Sequence, residues 1–210
     1  MTVDDGPVGA SDDLGSRPVV LVGPMGAGKS SIGKKLARRL RVPFVDTDRV
    51  VVRENGPVAD IFAQHGEQHF RALEREAVAA SLTTVGVVSL GGGAVLDPET
   101  RERLSRARVV WLTVSAEAVE ARLAGSARPL LQSGGIDAWR RIAAERDPLY
   151  RSVAHLRLDT SDRPVSTVVD DVVGWLRGGA EQPPTTTSPP VADLAPASPR
   201  PAPPAPERQP

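Results

Sequence analysis

One segment near the start of the chain, Gly23-Pro24-Met25-Gly26-Ala27-Gly28-Lys29-Ser30, constrains the fold more than any other. It fits the pattern G-x-x-x-x-G-K-[ST], follows a short apolar run at 18–23 and precedes a helical pattern at 29–40. Glycines at such a strand-to-helix turn let backbone N–H groups face an anion, and the helix N-terminus adds partial positive charge. A turn that only allows close packing would not require Lys followed by Ser. The segment therefore predicts a nucleoside triphosphate site.

Each polar group of this phosphate loop has an expected partner in the triphosphate. Lys29 reaches the β and γ phosphates, Ser30 supplies a hydroxyl for Mg²⁺, and Ser31 adds a further hydroxyl. No N-K-x-D motif for guanine recognition is present, and the chain is short for a motor or a helicase. A small-molecule kinase is the leading class. The candidate nucleotide-binding residues of the loop are Gly26, Ala27, Gly28, Lys29, Ser30 and Ser31.

Continuous apolar runs alternate with helical patterns along the middle of the chain. The runs cover 18–23, 43–45, 85–90, 108–114 and 154–158. Long helical patterns follow at 49–82, with breaks near Gly56-Pro57 and Gly66, and at 164–176. Strands that are apolar along their whole length are typical of a parallel sheet covered on both faces. We predict a three-layer α/β fold in one domain over residues 17–179.

The two ends of the chain differ in composition from this middle part. Residues 1–16 carry four Asp and no basic residue, and residues 180–210 contain eleven of the twenty prolines. Neither end can bury enough apolar area to offset its ordering entropy, so we predict disorder for both. A linker or docking role for the tail stays open. The middle part has a net charge of +5, which favours a small polyanionic ligand over nucleic acid because dense Lys/Arg runs are missing.

The composition excludes several other classes. The chain has no cysteine, so disulfide scaffolds and cysteine nucleophiles are ruled out. No apolar run reaches the roughly 18 to 20 residues of a membrane helix, and no basic residue precedes Arg17 as a secretory signal would require. We therefore expect a cytoplasmic monomer that binds small molecules and neither membranes nor nucleic acid.

A pair of acidic residues follows the second apolar run, in Asp46-Thr47-Asp48. Two acids two positions apart lie on the same side of an extended segment, here at the carboxyl end of a strand, where ligands of α/β proteins bind. One carboxylate could hold the magnesium shell while the other accepts a hydrogen bond from an acceptor hydroxyl. The alternative is an N-cap for the helix that begins near Arg49.

Two further segments are ambiguous when taken singly. Arg71 and Glu74 lie three apart on one helix face, which suits an Arg that binds a substrate carboxylate and is held by Glu74, or equally a surface ion pair. Gly91, Gly92 and Gly93 follow the third apolar run. They could let a ligand approach bare backbone or could form a flexible turn.

Together, the ordered segments resemble the shikimate kinase family. They are L-V-G-P-M-G-A-G-K-S-S-I-G, D-T-D, D-I-F with G-E-x-x-F-R-x-x-E, L-G-G-G-A-V, R-P-L-L and R-x-P-L-Y, spread over about residues 18–177. The resemblance implies a P-loop NMP-kinase-like fold with a helical substrate-binding region at about 47–80 and a mobile lid at about 123–137. It also implies transfer of the ATP γ-phosphate to the 3-hydroxyl of shikimate, in chorismate and aromatic amino-acid biosynthesis.

On the nucleotide side, the resemblance implies that Lys29 neutralises the β and γ phosphates, while Ser30 and Asp46 hold Mg²⁺ and its water shell. Arg128, in A-R-P-L-L, would come down with the lid onto the transferred phosphoryl group; without the family it would be read as a surface charge. Arg122 and the turn at 162–164 occupy about the places of the adenine contacts. That turn is one residue short, and Arg163 is carried over from it.

On the acceptor side, the resemblance implies that Asp48 contacts the ring hydroxyls and orients or deprotonates the attacking one. Arg71 and Arg146 would bind the substrate carboxylate, with Glu74 holding Arg71, and the site would be lined by Gly91, Gly92 and Gly93. The family usually has Thr where this chain has Ser31, a change that keeps the hydroxyl.

Two other functions are compatible with the phosphate loop. A kinase for another polyol acid such as gluconate could be built on a similar loop, although the triple glycine and R-x-P-L-Y favour shikimate. A regulatory nucleotide-binding protein without catalysis would be expected to lack Asp48, Arg71 or Arg128, and all three are present.

Overall fold

The structure, a computed structural model, describes residues 16–123 and 135–178. In this part of the chain, strands and helices alternate as the apolar runs predict. The strands are β1 (Val19–Val22), β2 (Phe44–Asp46), β3 (Val87–Ser89), β4 (Arg108–Thr113) and β5 (Leu156–Asp159). The helices are α1 (Lys29–Leu40), α2 (Thr47–Asn55), α3 (Val58–Ser81), α4 (Pro98–Leu104), α5 (Ala116–Leu123), α6 (Gly135–Val153) and α7 (Val165–Gly178).

The described strands form one five-stranded sheet in the order β2-β3-β1-β4-β5, and every pair is parallel. Side chains of the central strand alternate between its two faces. Val19 and Leu21 pack in a core with α1 and α7, whereas Val20 and Val22 pack in a second core with parts of α3, α4 and α6. The predicted three-layer α/β architecture is confirmed.

The phosphate loop leaves the sheet at the carboxyl end of its central strand. Gly23 has φ 138°, and a Cβ atom at this position would collide with the carbonyl oxygen of Leu112 on the neighbouring strand β4. Only glycine tolerates both this φ, which residues with an L side chain rarely adopt, and the close approach of the Leu112 carbonyl. The chain can therefore turn from β1 directly into the loop and α1.

Helices α2 and α3 stand beside the sheet with an apolar cluster of their own, formed by Val51, Ile61, Phe70 and Ala77. The breaks predicted from the glycines are confirmed: Gly56 ends α2 with φ 87°, and Gly66 interrupts α3 with φ 78° and ψ 175°. Helix α2 begins at Thr47 rather than near Arg49, because Asp46 caps it.

Three predicted segments lie wholly or mostly outside the described residues. They are the acidic N-terminus, the proline-rich tail, and residues 124–134 with Arg128. The two ends of the predicted lid are helical: Leu123 ends α5, and residues 135–137 form the first turn of α6. Among the described helices, none combines the length and the apolar character that crossing a membrane requires.

Candidate active site

The phosphate loop is an open turn built on glycines in the left-handed region. Gly26 and Gly28 have φ of 85° and 82°, and Gly28 is the residue before α1. Lys29 Nζ donates hydrogen bonds to the carbonyl oxygens of Gly23 at 2.7 Å and Pro24 at 2.9 Å, so the ammonium group lies across the loop. Ser31 is exposed at the first turn of α1. The predicted nucleotide-binding residues of the loop are thus contiguous in space.

Ser30 and Asp46 come together from different elements. Ser30 Oγ donates to Asp46 Oδ2 at 2.6 Å, while Asp46 Oδ1 accepts the Arg49 N–H at 3.4 Å and caps α2. Because the two carboxylate oxygens have separate partners, the capping role and the predicted metal role are compatible. A hydroxyl and a carboxylate beside a phosphate loop are oxygen donors of the kind that Mg²⁺ prefers.

The predicted geometry of the acidic pair was wrong, although the pair does lie at the phosphate loop. The segment is not extended, because the cap makes Thr47 the first residue of α2 and puts Asp48 in its first turn. Asp48 is open to solvent at the site, but the surrounding protein desolvates it and raises its pKa. Lys29 and Arg71 lower this pKa and Asp46 raises it. Charges of the phosphate loop and of helix α3 therefore both act on Asp48.

Arg71 is held by two carboxylates of very different exposure. Its Nη1 donates to Glu74 Oε2 at 2.6 Å, and its Nη2 donates to Glu67 Oε1 at 3.2 Å. The Glu74 side chain is 5% exposed and that of Glu67 is 65% exposed. Burial raises the pKa of Glu74, and the hydrogen bond from Arg71 opposes this. Burial lowers the pKa of Arg71, but the two carboxylates outweigh burial and raise it.

The three glycines after β3 face these same side chains. A Cβ atom on Gly91 would collide with Asp48 Oδ1 and lie 2.6 Å from Glu74 Oε1, and one on Gly93 would lie 3.0 Å from Arg71 Cζ. A Cβ atom on Gly92 would lie 3.6 Å from Arg146 Nη1 and 3.6 Å from the Gly23 carbonyl oxygen. The glycine turn therefore lies against the side chains of Asp48, Glu74, Arg71 and Arg146, and Gly92 also approaches the phosphate loop.

Two residues of this turn's surroundings were missed by sequence reasoning. Tyr150 Oη donates to the Gly92 carbonyl oxygen at 2.6 Å, and burial raises its pKa to about 12, so the hydroxyl keeps its proton. Thr47 is fully buried and its Oγ1 accepts the Gly91 N–H at 3.2 Å. The R-x-P-L-Y motif does contain a signal for Tyr150, because a residue four positions after Arg146 lies on the same face of a helix. Thr47 offers no such signal.

Arg163, the predicted adenine contact, lies in the turn before α7 and pairs with Asp171 of that helix. Arg128 is outside the described residues. No group of three or more His, Cys, Asp or Glu that could hold a metal ion occurs within 16–123 and 135–178.

Carboxylate, guanidinium and bare glycine backbone meet beside a phosphate loop at one edge of a parallel sheet. This fold and site define a P-loop kinase that acts on a small molecule.

Comparison with known proteins gives the particular family. The family model for shikimate kinase matches residues 25–177. A shikimate kinase of Mycobacterium avium is 46% identical over 161 residues, which cover 75% of this chain and 92% of that protein. The structure of shikimate kinase from Acinetobacter baumannii in complex with shikimate is 32% identical, has a TM-score of 0.75, and matches 80% of this chain and 97% of that one. The chain belongs to the shikimate kinase family.

A gluconokinase from Sinorhizobium meliloti also shares the fold. Its TM-score is 0.56 at 20% identity, over 79% of this chain and 94% of that one. An identity this low bears on the fold alone. The resemblance that the sequence motifs carry is therefore confirmed at the level of the family and the fold.

Proposed function

We propose that this protein transfers the γ-phosphate of ATP to the 3-hydroxyl of shikimate, giving shikimate 3-phosphate and ADP for aromatic amino-acid biosynthesis. The observation that carries the proposal is the glycine turn. In this turn, Gly91 lies against Asp48 and Glu74. Gly92 faces Arg146, and Gly93 lies against Arg71. A carboxylate beside guanidinium groups suits an acceptor that bears hydroxyls and a carboxylate.

The nucleotide half of the site would bind the phosphates through the loop. Backbone N–H groups of Gly26, Ala27 and Gly28 and the ammonium group of Lys29 are the expected contacts. Lys29 now donates to the carbonyls of Gly23 and Pro24, and bound phosphate oxygens would offer it stronger, charged acceptors. Ser30 and Asp46 would hold Mg²⁺, which neutralises charge on the β and γ phosphates.

The acceptor half would place the shikimate carboxylate on Arg71 and Arg146, with the ring against the glycine turn. Asp48 then accepts the proton of the attacking hydroxyl. The hydroxyl oxygen bonds to the γ-phosphorus as the bond to the β–γ bridging oxygen breaks, and ADP leaves with its charge stabilised by Lys29. Arg128, from outside the described residues, and Arg163 complete the expected contacts with the phosphoryl group and adenine.

The test is ADP release by the purified full chain with Mg-ATP and, in separate reactions, shikimate, gluconate or no acceptor. We expect turnover that depends on shikimate. Turnover on gluconate alone would identify a different polyol-acid kinase, and ADP binding without turnover on either acceptor would indicate a regulatory protein. Lys29→Ala is the matched inactive variant, because it removes a half-buried, positioned charge at the start of α1 and should leave the fold intact.

A further inference from the structure

Three consecutive carbonyl groups of the phosphate loop accept hydrogen bonds from side chains outside the loop. The donors belong to three different parts of the fold: α5, α6 and the residue that follows β5. The contacts are Trp139 Nε1 to Met25 O at 2.9 Å, Arg122 Nη1 to Gly26 O at 2.9 Å, and Thr160 Oγ1 to Ala27 O at 3.2 Å. We call Arg122, Trp139 and Thr160 the outer ring.

Peptide geometry turns these three contacts into a constraint on the loop's N–H groups. The C=O of one residue and the N–H of the next belong to a single planar group, and in a trans peptide they point in opposite directions. The described part of the chain contains no cis peptide bond. Each outer-ring donor therefore holds one N–H on the opposite side of the loop. The N–H groups so fixed are those of Gly26, Ala27 and Gly28.

For the Ala27 N–H, that opposite side is the inner side of the loop. The Ala27 N–H faces the Pro24 carbonyl oxygen across the turn at 3.4 Å, a distance at which a hydrogen bond is weak. Lys29 Nζ donates to the same oxygen. The Ala27 N–H, the central one of the three, is thus on the side of the Lys29 ammonium group, where an anion would lie.

The outer-ring donors are themselves held in place. Arg122 Nη2 also donates to the carbonyls of Thr160 and Ser161, the latter at 2.9 Å, so its guanidinium joins two loops. Thr160 is 3% exposed, and its single hydroxyl hydrogen is shared between the carbonyl oxygens of Ala27 at 3.2 Å and Thr113 at 3.0 Å. Trp139 is 9% exposed and packs in the core with α1 and α7. The ring can therefore hold the loop before any ligand arrives.

We propose that Trp139, Arg122 and Thr160 are positioning residues for the phosphate site. They hold the carbonyls of the loop outward, so that three N–H groups point at the phosphates without reorganisation when the nucleotide binds. The inference rests on the nucleotide half of the proposed function. It assigns to α5 and α6, which flank residues 124–134, a direct part in shaping the nucleotide site.

The first test replaces Trp139 by Phe, which keeps most of the packing and removes the N–H donor. Affinities for ADP and for adenosine are measured by calorimetry and competition, because only ADP carries phosphates. We expect ADP affinity to fall roughly three- to tenfold, the loss of about one hydrogen bond, with adenosine affinity unchanged. Trp175→Phe, in the same core but on α7, is the matched control and should leave both affinities unchanged.

The second test compares Thr160→Val with Thr160→Ser, because only serine keeps the hydroxyl. The valine variant should lose ADP affinity selectively and the serine variant should recover it, with thermal unfolding measured alongside to identify any loss of fold. Equal losses for ADP and adenosine, or unchanged ADP affinity in folded Trp139→Phe and Thr160→Val, would contradict the positioning role. Failure of the unaltered protein to bind ADP would instead contradict the proposed function itself.

Discussion

Replacing Glu74 by Gln tests how Arg71 is prepared for the acceptor. The Glu74 carboxylate is 5% exposed and accepts from Arg71 Nη1 at 2.6 Å. A hydrogen bond to a charged group contributes roughly 1.5–3 kcal/mol and a neutral one roughly 0.5–1.5 kcal/mol. The substitution keeps the shape and removes the charge, so it should weaken the hold on Arg71 by about 1–2 kcal/mol. We expect the KM for shikimate to rise roughly 5- to 30-fold, with the KM for ATP unchanged.

Glu67→Gln is the matched control, because Glu67 contacts the same guanidinium group. Its side chain is 65% exposed and lies 3.2 Å from Arg71 Nη2, and exposed ion pairs contribute roughly 0.2–1 kcal/mol. The KM for shikimate should therefore change by only about twofold. Steady-state kinetics with each substrate varied in turn measures both variants. Equal changes in the KM for shikimate in the two variants would refute the idea that the buried carboxylate holds Arg71 more firmly. A Glu74→Gln variant in which only the KM for ATP changes would refute the role of Arg71 in binding shikimate.

Two other predictions concern the acidic pair. Desolvation by the surrounding protein raises the pKa of Asp48, so on acidification kcat/KM should begin to fall above pH 3.8, the ordinary pKa of Asp. The reason is that the protonated carboxyl cannot accept the hydroxyl proton. A pH profile of Asp48→Asn that still shows this loss at acidic pH would contradict the assignment. Asp46→Asn retains an N-cap for α2 but removes the charge at Ser30. It should raise the Mg²⁺ concentration for half-maximal rate about tenfold without lowering Tm, and a magnesium titration with a melting curve checks both.

The fold was predictable because the inner strands of a doubly covered sheet are nearly continuous in apolar residues. The runs at 18–23 and 108–114 contain β1 and β4. The capped start of α2 was predicted two residues late, since the pattern of apolar residues does not show which side chain takes the cap. The helices at 98–104, 116–123 and 135–153 were not predicted. The first two have only seven and eight residues. The third contains Pro148 in its interior, a residue that usually breaks a helix.

The candidate site was predictable where its chemistry lies in a short motif, as with Lys29, or in the family resemblance, as with Arg146. It was not predictable where a contact joins distant parts of the chain. Thr47 bonds to Gly91 across 44 positions and Trp139 to Met25 across 114, and nothing local distinguishes either residue from an ordinary core side chain. Such contacts follow from the order of the strands, which brings loops that are far apart in sequence to one edge of the sheet.

Glycines occur at both halves of the site for different physical reasons, and this difference can be measured. Gly26 has φ 85°, and a Cβ atom there would lie 3.0 Å from Val119 Cγ2, so alanine would strain the backbone and press on the Val119 side chain of α5. Gly92 lies outside the left-handed region and its nearest contacts would be at 3.6 Å, which is ordinary van der Waals distance. Gly26→Ala should therefore lower both Tm and ADP affinity. Gly92→Ala should keep Tm and ADP affinity and raise the KM for shikimate, because its methyl group would occupy the space between Arg146 and the phosphate loop. Equal loss of ADP affinity in the two variants would show that the glycine turn serves the nucleotide rather than the acceptor.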